Sequence, residues 1–137
     1  MSTQKVSSNG VLQFNAIERT LENGLRVIVV PTGLPHLVSL QIPVQTGSRN
    51  EIEKGKTGFA HFFEHMMFRG TERFPSHKYQ EVMTRVGARQ NAYTTDDYTN
   101  YHATFSAKDL ATVLELEADR FQNLNYSIED FQTESRA

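Results

Sequence analysis

The sequence contains no cysteine. That excludes disulfides, thiolate metal sites and a cysteine nucleophile, so any metal held here must be held by histidine and carboxylate. A dominant charge is lacking too: 14 Lys and Arg against 16 Asp and Glu leave a formal net charge of -2. No Lys/Arg cluster is present to follow a phosphate backbone, and no nucleic-acid partner is expected. No apolar run is long enough to span a bilayer, so no membrane partner is expected. The polar start, Met1 to Gly10, has no apolar stretch of the signal-peptide kind. As written the chain reads as cytoplasmic, or as periplasmic or exported if a signal has been trimmed. The other end, Ser135-Arg136-Ala137, offers no glycine, proline or polar tail to close the helix beginning there, and truncation at the C-terminus is expected. Internal repeats and low-complexity segments are absent.

What remains is ordinary globular composition, 38% hydrophobic and 22% charged over 137 residues, enough for one domain around a modest core. Residues 1–14 read as a flexible N-terminal arm, by polarity and position. Ala16–Leu21 and Leu25–Val30 form a hairpin about Asn23-Gly24. Leu37–Thr46 is a further strand, with Pro43 pointing to an edge or a bulge. Residues 47–56 form a polar loop. Thr57 is placed to cap a helix over Gly58–Arg69 closed by Gly70. Ser76 starts a second helix with Tyr79, Val82, Met83 and Val86 on one face. Ala88–Thr94 and Tyr98–Phe105 are two strands. A third helix starts at Ser106–Asp109, with Leu110, Val113, Leu114, Ala118 and Phe121 inward. Ser127–Asp130 starts a fourth. This order predicts an α+β fold, an antiparallel-dominated sheet with helices packed on one face.

One segment carries chemistry: His61-Phe62-Phe63-Glu64-His65. Residues four apart on a helix share a face, so His61 and His65 present two imidazoles to one point, as zinc requires. Glu64 lies beside that point. Zinc lowers the pKa of a bound water from about 16 to roughly 7, where a neighbouring carboxylate can take its proton. His-x-x-Glu-His is the inverzincin order. The bland alternative is a buried helix with two hydrogen-bonded histidines and a surface glutamate. The phenylalanines and methionines around the motif make the helix apolar almost all round, hence buried, and a metal would satisfy its polar groups. His36, His77 and His102 read as surface or hydrogen-bonded histidines.

The run His61–Thr71 resembles the metal motif of the pitrilysin/insulinase family of zinc peptidases, which includes the mitochondrial processing peptidases. Leu21–Val27 resembles that family's opening hairpin, Gly47–Glu51 the loop before the metal helix and Gly58-Phe59-Ala60 its start. Asn91–Thr94 and Thr99–Tyr101 resemble the strand pair beside its cleft. The likeness runs collinearly from residue 15 to 137. It implies the N-terminal part of a metallohydrolase domain of the processing-peptidase type, acting as a zinc endopeptidase on flexible peptides. His61 and His65 would be zinc ligands, and Glu64 the catalytic general base. Asn91, Ala92 and Tyr93 would lie on an edge strand to which the peptide substrate adds. The family's third ligand would fall about four residues past Ala137 on an uninterrupted helix, leaving zinc weakly bound or absent in this piece. Glu134 resembles the family's glutamate that supports the zinc site; by spacing alone a solvated glutamate fits equally. A second homologous domain or subunit is the implied partner, and this piece alone is expected to be inactive. The alternative within the family is a non-catalytic peptide-binding or structural subunit, against which the intact His61, Glu64 and His65 speak.

Overall fold

A computed structural model describes residues 3–7, 15–52 and 57–134. They fall into two compact units, parting between Pro35 and His36.

The first unit is a three-stranded antiparallel sheet in the order β1 (Thr3–Ser7), β2 (Asn15–Thr20), β3 (Arg26–Val29). The anticipated hairpin is β2–β3. Its turn closes through the Leu21 N–H donating to the Leu25 carbonyl at 2.8 Å, and the Asn23 side chain accepts the Leu25 N–H at 3.1 Å. The segment expected as a flexible arm contributes β1, paired residue for residue with β2 from Thr3 opposite Arg19 to Ser7 opposite Asn15. Main-chain pairing makes few demands on side-chain polarity, so a polar segment can still be a strand. The rest of that arm lies outside the described residues.

The second unit holds the remaining elements. Its sheet runs β4 (Leu37–Val44), β6 (Thr99–Ser106), β5 (Arg89–Thr94), all antiparallel. Pro43 lies on β4, an outer strand of this sheet, as a residue without an N–H should. Along β4 and β5 the side chains alternate exposed and half-buried, so one face is covered. The cover comes from α2 (Ser76–Arg85) and α3 (Leu110–Asn123). Tyr79, Val82 and Met83 of α2 and Val113 and Leu116 of α3 meet Ala103 and Phe105 of β6, with Val38 and Leu40 of β4 against them. Those strand residues sit opposite each other in register, Leu40 with Ala103 and Val38 with Phe105. The expected face of α2 is thus the one used.

The face of α3 differs from expectation. Its buried residues are Val113, Leu116, Glu117 and Arg120, while Leu110, Leu114 and Phe121 remain more than a third exposed. A hydropathy pattern assigns charges to solvent, but these two charges satisfy one another. Arg120 pairs with Glu117, Glu117 accepts the Tyr79 hydroxyl at 2.7 Å, and the guanidinium lies 5.0–5.6 Å from the ring centres of Phe68, Tyr79, Tyr101 and Phe121. Two of its nitrogens, Nε and Nη1, are buried without a hydrogen-bond acceptor; the aromatic faces stand in for one. Among the described residues no helix is long and apolar enough to cross a membrane.

Candidate metal centre

The remaining two helices, α1 (Phe59–Met66) and α4 (Ile128–Glu134), build the site. The start of α1 is not capped by Thr57. The residue before the helix is Gly58, at φ 95°, which contributes no side chain. The cap comes from Glu51, whose carboxylate accepts the Gly58 N–H at 2.6 Å and the Ala60 N–H at 2.7 Å. These N–H donors, at the positive end of the helix, hold the Glu51 carboxyl below the usual carboxylate range. The loop that brings Glu51 there begins with a 3-10 turn, Ser48–Asn50, pinned to the β5–β6 turn by the Ser48 N–H on the Thr95 carbonyl and the Arg49 N–H on that of Asp96. Its continuation, residues 53–56, lies outside the described residues. Helix α1 ends four residues before Gly70. Gly70 has φ 93°, and a Cβ there would stand 2.5 Å from the Phe74 carbonyl oxygen and 2.6 Å from the Ser76 nitrogen, so only glycine fits.

The expectation that α1 is buried all round is not met. Ala60, Glu64 and Met66 are buried against β5 and β6, while Phe59 and Phe63 stay 45% and 47% exposed. The exposed side also carries His61 and His65. Their Nε2 atoms are 3.0 Å apart, with the rings nearly perpendicular. Two nitrogens of a tetrahedral zinc at the usual bond length are about 3.3 Å apart, so the imidazoles already converge at close to ligand spacing.

Glu134, at the end of α4, meets the other side of His65. Its Oε1 lies 2.5 Å from Nδ1, and its second oxygen takes the Arg69 guanidinium. Arg69 above all, and then His65, hold the Glu134 carboxyl below its ordinary value. A carboxylate at Nδ1 favours the proton there, which makes Nε2 the acceptor in the 3.0 Å contact with His61 and gives it the lone pair a metal would take instead. Helix α4 is itself held at its start by the Ser127 hydroxyl, which accepts the Asp130 N–H at 3.0 Å, while Asp130 accepts the Ser127 N–H in return. Phe131 packs edge-on against Phe62, 5.0 Å between centres. His61, His65, Phe62, Phe131 and Glu134 line a groove of about 430 Å³.

Glu64 lies on the packed side of α1 and is 8% exposed. Its Oε2 accepts the Thr94 hydroxyl at 2.5 Å. Its charge also reaches Tyr101, whose hydroxyl is pushed up to about 12 by burial first, with Arg120 opposing and Glu64 adding to the rise. Asn91, Ala92 and Tyr93 lie on β5, which pairs with β6 on one side and is the outermost strand of its sheet on the other among the described residues. Asn91 and Tyr93 are exposed, Ala92 half-buried, and the Ala92 N–H is taken by the Asn91 side chain at 2.9 Å. Among the described residues no group of three metal-ligating side chains converges; the donors brought together are the two imidazoles. Sequence reasoning missed the contributions of Arg69, Thr94 and Glu51. Arg69 continues the row of His61 and His65 at four-residue spacing, and Thr94 is two residues past Ala92 on the same side of β5; both spacings were available as signals.

A helix bearing paired imidazoles and a buried glutamate, packed on an antiparallel sheet, matches a known class of protein. The chain fits the family model for insulinase (Peptidase family M16) over residues 26–136 and belongs to that family. It is 39% identical over 114 residues to rat mitochondrial cytochrome b-c1 complex subunit 1, covering 83% of this chain and 23% of that protein. It is 35% identical over 119 residues to the zinc protease PqqE of Helicobacter pylori, covering 84% and 26%. The solved structure of a protease from Helicobacter pylori superposes with a TM-score of 0.83 at 33% identity, covering 88% of this chain and 29% of that one. The chain therefore spans about a quarter of the length of these relatives, and the α+β fold is theirs.

Proposed function

We propose that this chain is the proton-transferring, zinc-holding part of an endopeptidase that cleaves flexible peptides. His61 and His65 would hold the metal through Nε2, and a further ligand would complete the set from outside the described residues. Bound zinc supplies Lewis-acid activation of the attacking water. Glu64 accepts the proton that water loses as its oxygen bonds to the scissile carbonyl carbon, and delivers it to the amide nitrogen as the C–N bond breaks. Glu134 holds His65 in its ligating tautomer, itself steadied by Arg69. The substrate extends along β5, exchanging main-chain hydrogen bonds over Asn91, Ala92 and Tyr93, which gives affinity without demanding a sequence. A second homologous domain or subunit closes the site.

The observation that carries this reading is the 3.0 Å approach of the two Nε2 atoms with a carboxylate on the far side of one ring. A second reading, a structural or peptide-binding subunit, is favoured by the similarity to a cytochrome b-c1 complex subunit; the intact His61, Glu64 and His65 favour the peptidase. Calorimetric titration of this chain with zinc tests the ligand assignment. Weak binding that disappears in both His61→Ala and His65→Ala is expected. Binding unchanged by either substitution would remove the metal centre from the proposal.

A further inference from the structure

Thr94 stands out because it links two parts of the site that the proposed function treats separately. We propose that Thr94 is a positioning residue for Glu64, tying the general base to the strand on which the substrate lies. The inference rests on the reading of Glu64 as the base.

The tie is a hydrogen bond of 2.5 Å from the Thr94 hydroxyl to Glu64 Oε2. Among the described residues it is the hydrogen bond on that carboxylate, and with Glu64 only 8% exposed, water competes little for it. Short bonds of this kind are typical where a hydroxyl meets an ionised acceptor. Its direction follows from counting protons. The Thr99 hydroxyl lies 3.2 Å from that of Thr94 and donates its one proton to the Thr46 carbonyl at 3.0 Å. Thr99 therefore has none left to give, and a carboxylate has none either, so the Thr94 proton goes to Glu64, the nearer acceptor at 2.5 Å, and the 3.2 Å approach of the two hydroxyls is a contact without a proton. The row Thr46, Thr99, Thr94, Glu64 runs from the end of β4 across β6 to β5 and up to α1. Thr94 and Thr99 are directly paired across the β5–β6 ladder, so the hydroxyl that grips Glu64 is fixed by the sheet rather than by a loop.

The consequence is positional. Oε2 is engaged by Thr94, which leaves Oε1 as the oxygen that exchanges a proton. Thr94 directly follows Asn91, Ala92 and Tyr93 in β5, so one strand both receives the substrate main chain and sets where the base points.

The test uses Thr94→Val, which keeps the shape and loses the hydroxyl, and Thr94→Ser, which keeps the hydroxyl, in the full-length protein. Thr94→Val is expected to lower kcat on the order of 10–100-fold, as a displaced catalytic group does, with KM and bound zinc changed less than about 2-fold. Thr94→Ser is expected to recover most of the loss. Thermal unfolding supplies a readout independent of turnover: Thr94→Val should lower Tm in the wild type and not in a Glu64→Leu background, where the acceptor is gone. Equal Tm losses in both backgrounds, or a Thr94→Ser defect as large as that of Thr94→Val, would overturn the proposal. Full turnover in Glu64→Gln would instead refute the reading of Glu64 as base, and leaves the unfolding comparison to decide the Thr94 tie.

Discussion

Glu134 and His65 are joined across the helix pair α1–α4, carboxylate to Nδ1 at 2.5 Å, although they lie 69 positions apart in the chain. On the proposed reading the contact gives α4 a role beyond packing: its last described residue would hold the His65 proton at Nδ1. Removing a hydrogen-bond partner behind a ligating histidine commonly weakens metal affinity by about 10–100-fold. Glu134→Gln should fall in that range and Arg69→Met, which frees Glu134 to move, should weaken zinc in the same direction by less. Competition with a chromophoric chelator measures both. Unchanged affinity in Glu134→Gln would reduce the contact to a helix–helix tether.

The Glu51 cap predicts a pH dependence. Its carboxyl is held low by the N–H groups at the start of α1, so the folded state binds its proton less readily than the unfolded chain, where the value is about 4.3. The stabilisation is therefore complete above that value and is lost as pH falls through the lower, folded one. Glu51→Gln should be less stable than wild type at neutral pH, with the two urea midpoints drawing together below about pH 4. Parallel midpoint curves down to strong acid would show that Glu51 does not cap the helix in solution.

The buried pair on α3 predicts a large and non-additive effect. Glu117→Leu leaves Arg120 charged within its ring of aromatic side chains, and stranding one member of a buried ion pair costs about 3–5 kcal/mol. Adding Arg120→Met should restore much of the loss, since an apolar pair of similar size suits the site. Urea unfolding of the two singles and the double gives the coupling. Additive losses would place the stabilising contacts of Arg120 with the rings alone.

The same pair shows where sequence reading stops. Elements announced by short-range chemistry were legible: the Asn23-Gly24 hairpin, the face of α2, the Ser127 start of α4, and α1 itself, whose His-x-x-Glu-His spacing has meaning only on a helix. What was hidden depends on partners far along the chain. Glu117 and Arg120 read as surface charges until Tyr79 and the rings around them are placed by the fold. Thr57 was the natural local cap for α1, yet Glu51 reaches it from beyond a loop. Strand β1 is invisible to hydropathy because its partner is the backbone of β2. In the candidate site, the helical closeness of His61 and His65 was readable from their spacing, whereas the contacts of Thr94 with Glu64 and of Arg69 with Glu134 each span 30 or more residues.

Peptide hydrolysis by the full-length protein, wild type against Glu64→Gln with zinc content measured on both, tests the central assignment. Replacing a general base typically costs on the order of 10²–10⁴-fold in rate, and a loss of that size with zinc retained is the predicted result. Turnover within a few-fold of wild type in Glu64→Gln, with the same zinc content, would contradict it.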